Sequence, residues 1–109
     1  MAEEKVVLCG SSAYEQKYYL NEAFSRLPEQ VRQEIQIMCV SFTEDVGGVL
    51  LLQYNEEGSL EFVTQADEGD LLYDDIGAGL KIEKLRREKK ELFEQLELYY
   101  RIFVLGEGQ

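Results

Sequence analysis

The 109-residue sequence has no histidine, one proline, two cysteines, and eleven lysines and arginines against twenty-two aspartates and glutamates. Without histidine, the usual base for a serine or cysteine nucleophile is missing, and no spacing selects a lysine, tyrosine or carboxylate pair in its place. The chain is therefore not expected to be an enzyme, and no cofactor or metal is implied. The net charge of −11 repels phosphate backbones and anionic headgroups, so nucleic acid and membrane surfaces are disfavoured partners. Cys9 and Cys39 match neither a CxxC nor a paired zinc-ligand pattern and are expected as buried free thiols in a reducing, cytoplasmic setting. No window approaches the roughly 18 apolar residues of a membrane span. The opening MAEEKVVLCG carries acids where a secretory signal needs basic residues, ahead of an apolar run too short for its core.

What is present is the composition of one globular domain, 45% hydrophobic and 30% charged. It is expected to span residues 1–109, with 106–109 as a frayed tail. The clearest element is GVLLLQYNEEGSLEFVTQA, from Gly48 to Ala66: two apolar runs joined by a turn. Asn55 to Gly58 suits a type I turn with a left-handed fourth residue. The run Val49–Leu52 predicts a strand buried on both faces at its start, and Leu60, Phe62 and Thr64 give the return strand one apolar face.

Helices are expected on both sides of this hairpin. Ser12 and Glu15 match a capping box, which predicts a helix from Ala13 to Ser25 with Tyr14, Tyr18, Leu20 and Phe24 on its buried side. Pro28 suits a second helix start, followed by Val31, Ile35, Met38 or Cys39, and Phe42 at helical spacing until Gly47 and Gly48 end it. The widening of this stripe at Ile37 to Val40 implies cover on more than one side, from the domain or from a second subunit. Residues 66–75, ADEGDLLYDD, form a connector anchored by Leu71, Leu72 and Tyr73. A third helix, from about Ile76 to Val104, would be about 42 Å long, more than such a domain needs, and so implies a partner or a break. Its heptad seam, Ile82, Leu85, Lys89, Leu92, Leu96, Tyr99 and Phe103, is a candidate interface. The predicted fold is α+β: two N-terminal helices, a central antiparallel hairpin with residues 5–9 as a candidate third strand, and a long C-terminal helix packed on the sheet.

Several short stretches invite a functional reading beside a structural one. Lys81 to Lys90 holds six cations against two glutamates, a docking strip for an acidic partner or a solvated helix face. Asp67, Glu68, Asp70, Asp74 and Asp75 offer oxygens but do not follow a calcium-loop pattern, so loop acids and a helix cap account for them. The segment IGAGLK, with glycines at 77 and 79, lacks the spacing of a Walker or dinucleotide loop and adjoins two carboxylates. Residues 10–12, within LCGSS, have the look of an anion-binding turn, although capping already uses Ser12. Tyrosines 14, 18 and 19, and 99 and 100, suit an interface or a core edge.

The text VVLCGSSAYEQKYYLNEAFSRLP, followed by the Gly-Gly hairpin and GDLLYDDIGAGLKI, resembles a family of short acidic bacterial proteins of unknown function. The resemblance implies a bacterial, cytoplasmic setting and transfers no catalytic residue, cofactor or activity. The expected function is a non-enzymatic protein-interaction or regulatory domain that self-associates, as a homodimer, through its C-terminal helix. The alternative is a small-molecule or anion-binding module using the turn at residues 10–12 or 77–79.

Overall fold

The computed structural model describes residues 5–106. At its centre Val49–Tyr54 (β3) and Leu60–Gln65 (β4) form an antiparallel hairpin, with Val49 opposite Gln65 and Tyr54 opposite Leu60. The turn forms where the Asn55 carboxamide accepts hydrogen bonds from the backbone of Glu57 and Ser59, and Gly58 takes the left-handed conformation, φ 84°. Leu50, Leu52 and Tyr54 are fully buried on one face, while Val49, Leu51 and Gln53 point the other way and are half-buried.

The N-terminal third corrects the expected fold. Residues 13–25 do not form a helix; Val6–Ser12 (β1) and Lys17–Leu20 (β2) pair as a second antiparallel hairpin, and β1 also pairs with β3. The sheet is four-stranded, in the order β2-β1-β3-β4. The Ser12 hydroxyl does accept from the Glu15 backbone N–H at 3.2 Å. That bond closes a hairpin turn instead of opening a helix, because Gln16, at φ 55°, turns the chain back. The aromatic-rich KYYL then fits a pleated surface, with Tyr18 half-buried and Tyr19 56% exposed. Gly10 sits where strands approach closely: a Cβ there would lie 2.6 Å from the Leu51 side chain and 3.0 Å from the Leu50 carbonyl. After β2, Asn21 caps a single 3₁₀ turn at Glu22–Phe24 by accepting from the Ala23 N–H, and its amide donates to the Val7 carbonyl at 2.7 Å.

Glu29–Val46 forms helix α1 from Pro28 onward, as its spacing predicts. Ile35, Met38, Cys39, Phe42 and Val46 line its buried side. Gly48 follows at φ 71°, where a Cβ would meet the Gln65 carbonyl at 2.5 Å, so the helix-to-strand crossing needs glycine. The expected continuous C-terminal helix is also corrected. Asp75–Glu88 (α2) and Lys90–Tyr99 (α3) are separate helices divided at Lys89, φ −110° and ψ 25°, and a π turn runs from Tyr100 to Val104. The break redirects α3 so that Leu92, Phe93 and Leu96 enter the core. An aromatic cluster locks this end down: Tyr54 packs on Phe24 at 5.6 Å and on Tyr100 at 4.0 Å, these two rings are 6.4 Å apart, and the Tyr54 hydroxyl donates to the Leu96 carbonyl at 2.8 Å. No helix among the described residues is long and apolar enough to cross a membrane.

Candidate functional site

The candidate seam is dispersed by the break at Lys89. Leu92 and Leu96 are buried in the chain's own core; Ile82, Leu85 and Tyr99 pack partly against it; Phe103 stays 71% exposed. Lys89 turns to α1 and pairs with Glu34 at 3.0 Å. The seam residues therefore face mostly inward, and the apolar groups left in solvent are others.

Among the described residues, a run of strongly exposed large apolar side chains precedes α2 and continues into it. Leu71 is 94% exposed, Leu72 91%, Ile76 79% and Leu80 64%. The connector is anchored differently from the expectation: Tyr73 is its half-buried residue and packs beside Gly47 and Gly48, whereas the two leucines point outward. Ile76 and Leu80, four residues apart, continue the patch along one side of the helix. Of the fourteen residues of α2 only Ala78 is buried, so this helix contributes little to the core.

The loop bearing the leucines is held in place by a residue far away in sequence. Tyr14, in the β1–β2 turn, donates its hydroxyl to Asp70 Oδ2 at 2.5 Å and accepts the backbone N–H of Asp67 at 2.8 Å. The other oxygen of Asp70 accepts the N–H of Leu72 at 3.0 Å, and the backbone N–H of Asp74 donates to the Val46 carbonyl. The hydrogen bond from Tyr14 holds the Asp70 carboxyl below its ordinary range, and the same bond pushes the Tyr14 phenol above its own. The leucine pair is thus presented on a tied loop.

Beside α2 an apolar groove of about 460 Å³ runs between it and α1, floored by Met38, Phe42 and Leu85 with Ile37, 66% exposed, on its lip. Two ion pairs bridge the helices, Lys81 to Asp45 at 2.7 Å and Lys89 to Glu34 at 3.0 Å. Lys84 and Glu88 on one side, and Gln30, Gln33 and Ser41 on the other, also line it.

The remaining candidates find mainly structural roles. Residues 10–12 lie within β1 and make no turn. Ser11 is buried, donates to the Cys39 carbonyl at 2.8 Å and touches Thr43 Oγ1 at 2.9 Å. Beside it, a cavity of about 730 Å³ opens between the β1–β2 hairpin and α1, with Ser12, Lys17, Tyr18 and Gln36 on its walls. Cys9 and Cys39 are free, fully buried thiols 3.7 Å apart; their mutual contact and burial push Cys39 far up, so Cys39 is not a poised thiolate. At 77–79 the Gly77 N–H is taken by Asp74, which caps α2. Of the acids at 67–75, Asp70 bonds the loop and Asp74 caps α2, and no metal-holding cluster of three or more histidine, cysteine or acidic side chains occurs among the described residues.

An antiparallel four-stranded sheet packed with helices around one apolar core defines a small α+β domain whose outstanding surface feature is apolar. The chain belongs to the DUF6145 family, a family of unknown function, whose model matches residues 5–108. No curated protein and no solved structure matches it.

Proposed function

We propose that this chain is a non-enzymatic protein-interaction domain that self-associates through its C-terminal helical segment, in the bacterial cytoplasmic setting that its sequence suggests. The observation that carries the reading is the run Leu71, Leu72, Ile76 and Leu80, four large apolar side chains between 64% and 94% exposed within ten residues. Apolar side chains scattered singly on a surface are ordinary; a contiguous group marks a contact surface. The contact surface lies on the outer side of α2 and its preceding loop, with Phe103 as the seam residue still open to solvent. Light scattering on the wild type and on Ile76→Asp/Leu80→Asp tests this. The expected result is a dimer mass for the wild type and a single-chain mass for the variant, with unchanged circular dichroism because neither residue supports the core. A single-chain mass for the wild type at high micromolar concentration, or an unchanged mass for the variant, overturns it.

A second reading, a small-molecule-binding module at residues 10–12, draws support from the cavity beside Ser11 and Ser12. A ligand there at 100 times its dissociation constant adds about 2.7 kcal/mol of stability. A thermal-shift panel of nucleotides, phosphates and metals that moves no melting temperature counts against it.

A further inference from the structure

We propose that the groove between α1 and α2 receives the Leu71–Leu72 loop of a second copy of this chain, reciprocally, about a two-fold axis. The proposal rests on the self-association reading and specifies its contact. A dry apolar cavity of about 150 Å³ holds one benzene ring, so a groove of about 460 Å³ has room for two leucine side chains. Its floor of Met38, Phe42 and Leu85 is apolar and its lip residue Ile37 is left 66% exposed. The chain's own loop does not fill it. Its Leu72 borders the other cavity, between the β1–β2 hairpin and α1, whose lining shares no residue with the groove.

Charge matches the two parts. The leucine loop is bracketed by Asp67, Glu68, Asp70, Asp74 and Asp75, with no basic residue among them. The far half of α2 and the junction with α3 carry Lys81, Lys84, Arg86, Arg87, Lys89 and Lys90 against Glu83 and Glu88, with Lys81 and Lys89 also paired to acids of α1. Two α2 helices set antiparallel across a two-fold axis near Leu80 bring the acidic start of each beside the basic end of the other. Each loop then reaches the other's groove, so the contact is isologous and closes at two copies. Tyr14 ties the loop through Asp67 and Asp70 before any encounter, which reduces the ordering cost of association.

Charge reversal in both parts tests the pairing. One variant, Lys84→Glu/Arg87→Glu, cancels the net positive charge of the basic stretch; the other, Asp67→Lys/Glu68→Lys, removes most of the negative charge of the loop. None of these four side chains supports the core, and melting curves verify that both variants fold. Each variant alone is expected to give a single-chain mass by light scattering, because it removes the charge attraction at both contacts. An equimolar mixture is expected to restore the dimer mass, since one contact of the mixed pair is then the wild-type one and the other sets the introduced glutamates against the introduced lysines. A wild-type dimer whose variants both remain dimeric, or whose variants stay monomeric when mixed, overturns the loop-in-groove contact while leaving self-association standing. A monomeric wild type overturns the self-association reading itself.

Discussion

Tyr14 ties two turns of the chain that sequence reasoning has no means of connecting. Its hydroxyl works as donor to Asp70 and acceptor from Asp67 at once, so its replacement by phenylalanine removes both bonds and leaves the ring in place. The Asp70 carboxyl sits below its ordinary 3.8 because the phenol donates to it. Its contribution to stability is therefore fully present above pH 3.8 and is lost as pH falls through the lowered folded value. Tyr14 is shifted upward from 10.0, so the contribution is present below pH 10.0 and is lost as pH rises through the raised phenol. In Tyr14→Phe the Asp70 carboxyl is expected to titrate closer to 3.8, read by NMR on the side-chain carbon, with the sheet unchanged and self-association weaker. An Asp70 titration identical in wild type and variant would show that the hydroxyl does not hold the loop.

Helices α2 and α3 belong to one helical period in the sequence yet do different work in the fold. Leu96 is fully buried beneath the aromatic stack, whereas Leu80 is 64% exposed on α2. Truncating a buried leucine to alanine costs about 2–5 kcal/mol through lost burial and the cavity left behind. A surface change away from caps and core stays within about 0.5 kcal/mol. Urea denaturation of Leu96→Ala and Leu80→Ala is therefore expected to separate the two by several-fold in destabilisation, and equal midpoints would contradict the packing described. Where local chemistry decides, the elements were legible: Pro28 starts α1, Gly47 and Gly48 end it, and Asn55 to Gly58 turns β3 into β4. The misread elements share a physical ambiguity. The Ser12-to-Glu15 hydrogen bond serves a helix cap and a hairpin turn equally, and only the positive φ of Gln16 distinguishes them. The spacing of three and four residues runs unbroken through Lys89, because the cause of the break lies outside the helix: Glu34 of α1 and the core positions that α3 fills. The candidate site was legible only in part. The charge segregation at 67–75 and 81–90 could be read directly, but the direction in which Leu71 and Leu72 point depends on Tyr14, more than fifty residues earlier.

At the scale of the whole molecule, the net charge of −11 and the local charge pattern act in opposite senses on association. Two copies repel one another over distances set by the screening length, about 30 Å at 0.01 M salt and about 8 Å at 0.15 M. The proposed contacts between the acidic loop and the basic half of α2 are short-range, so they are expected to survive the first additions of salt that remove the long-range repulsion. Near 1 M, where screening reaches about 3 Å, these exposed contacts are weakened too. Dimer affinity is therefore expected to pass through a maximum as salt rises from about 0.01 M to 1 M, measured by sedimentation or by dilution calorimetry. In Lys84→Glu/Arg87→Glu the attractive local component is absent, and association is expected to strengthen with salt throughout. A wild-type affinity that rises monotonically over the whole range would mean that apolar burial and relief of net repulsion govern the dimer alone, and that the charge segregation along α2 has no part in it.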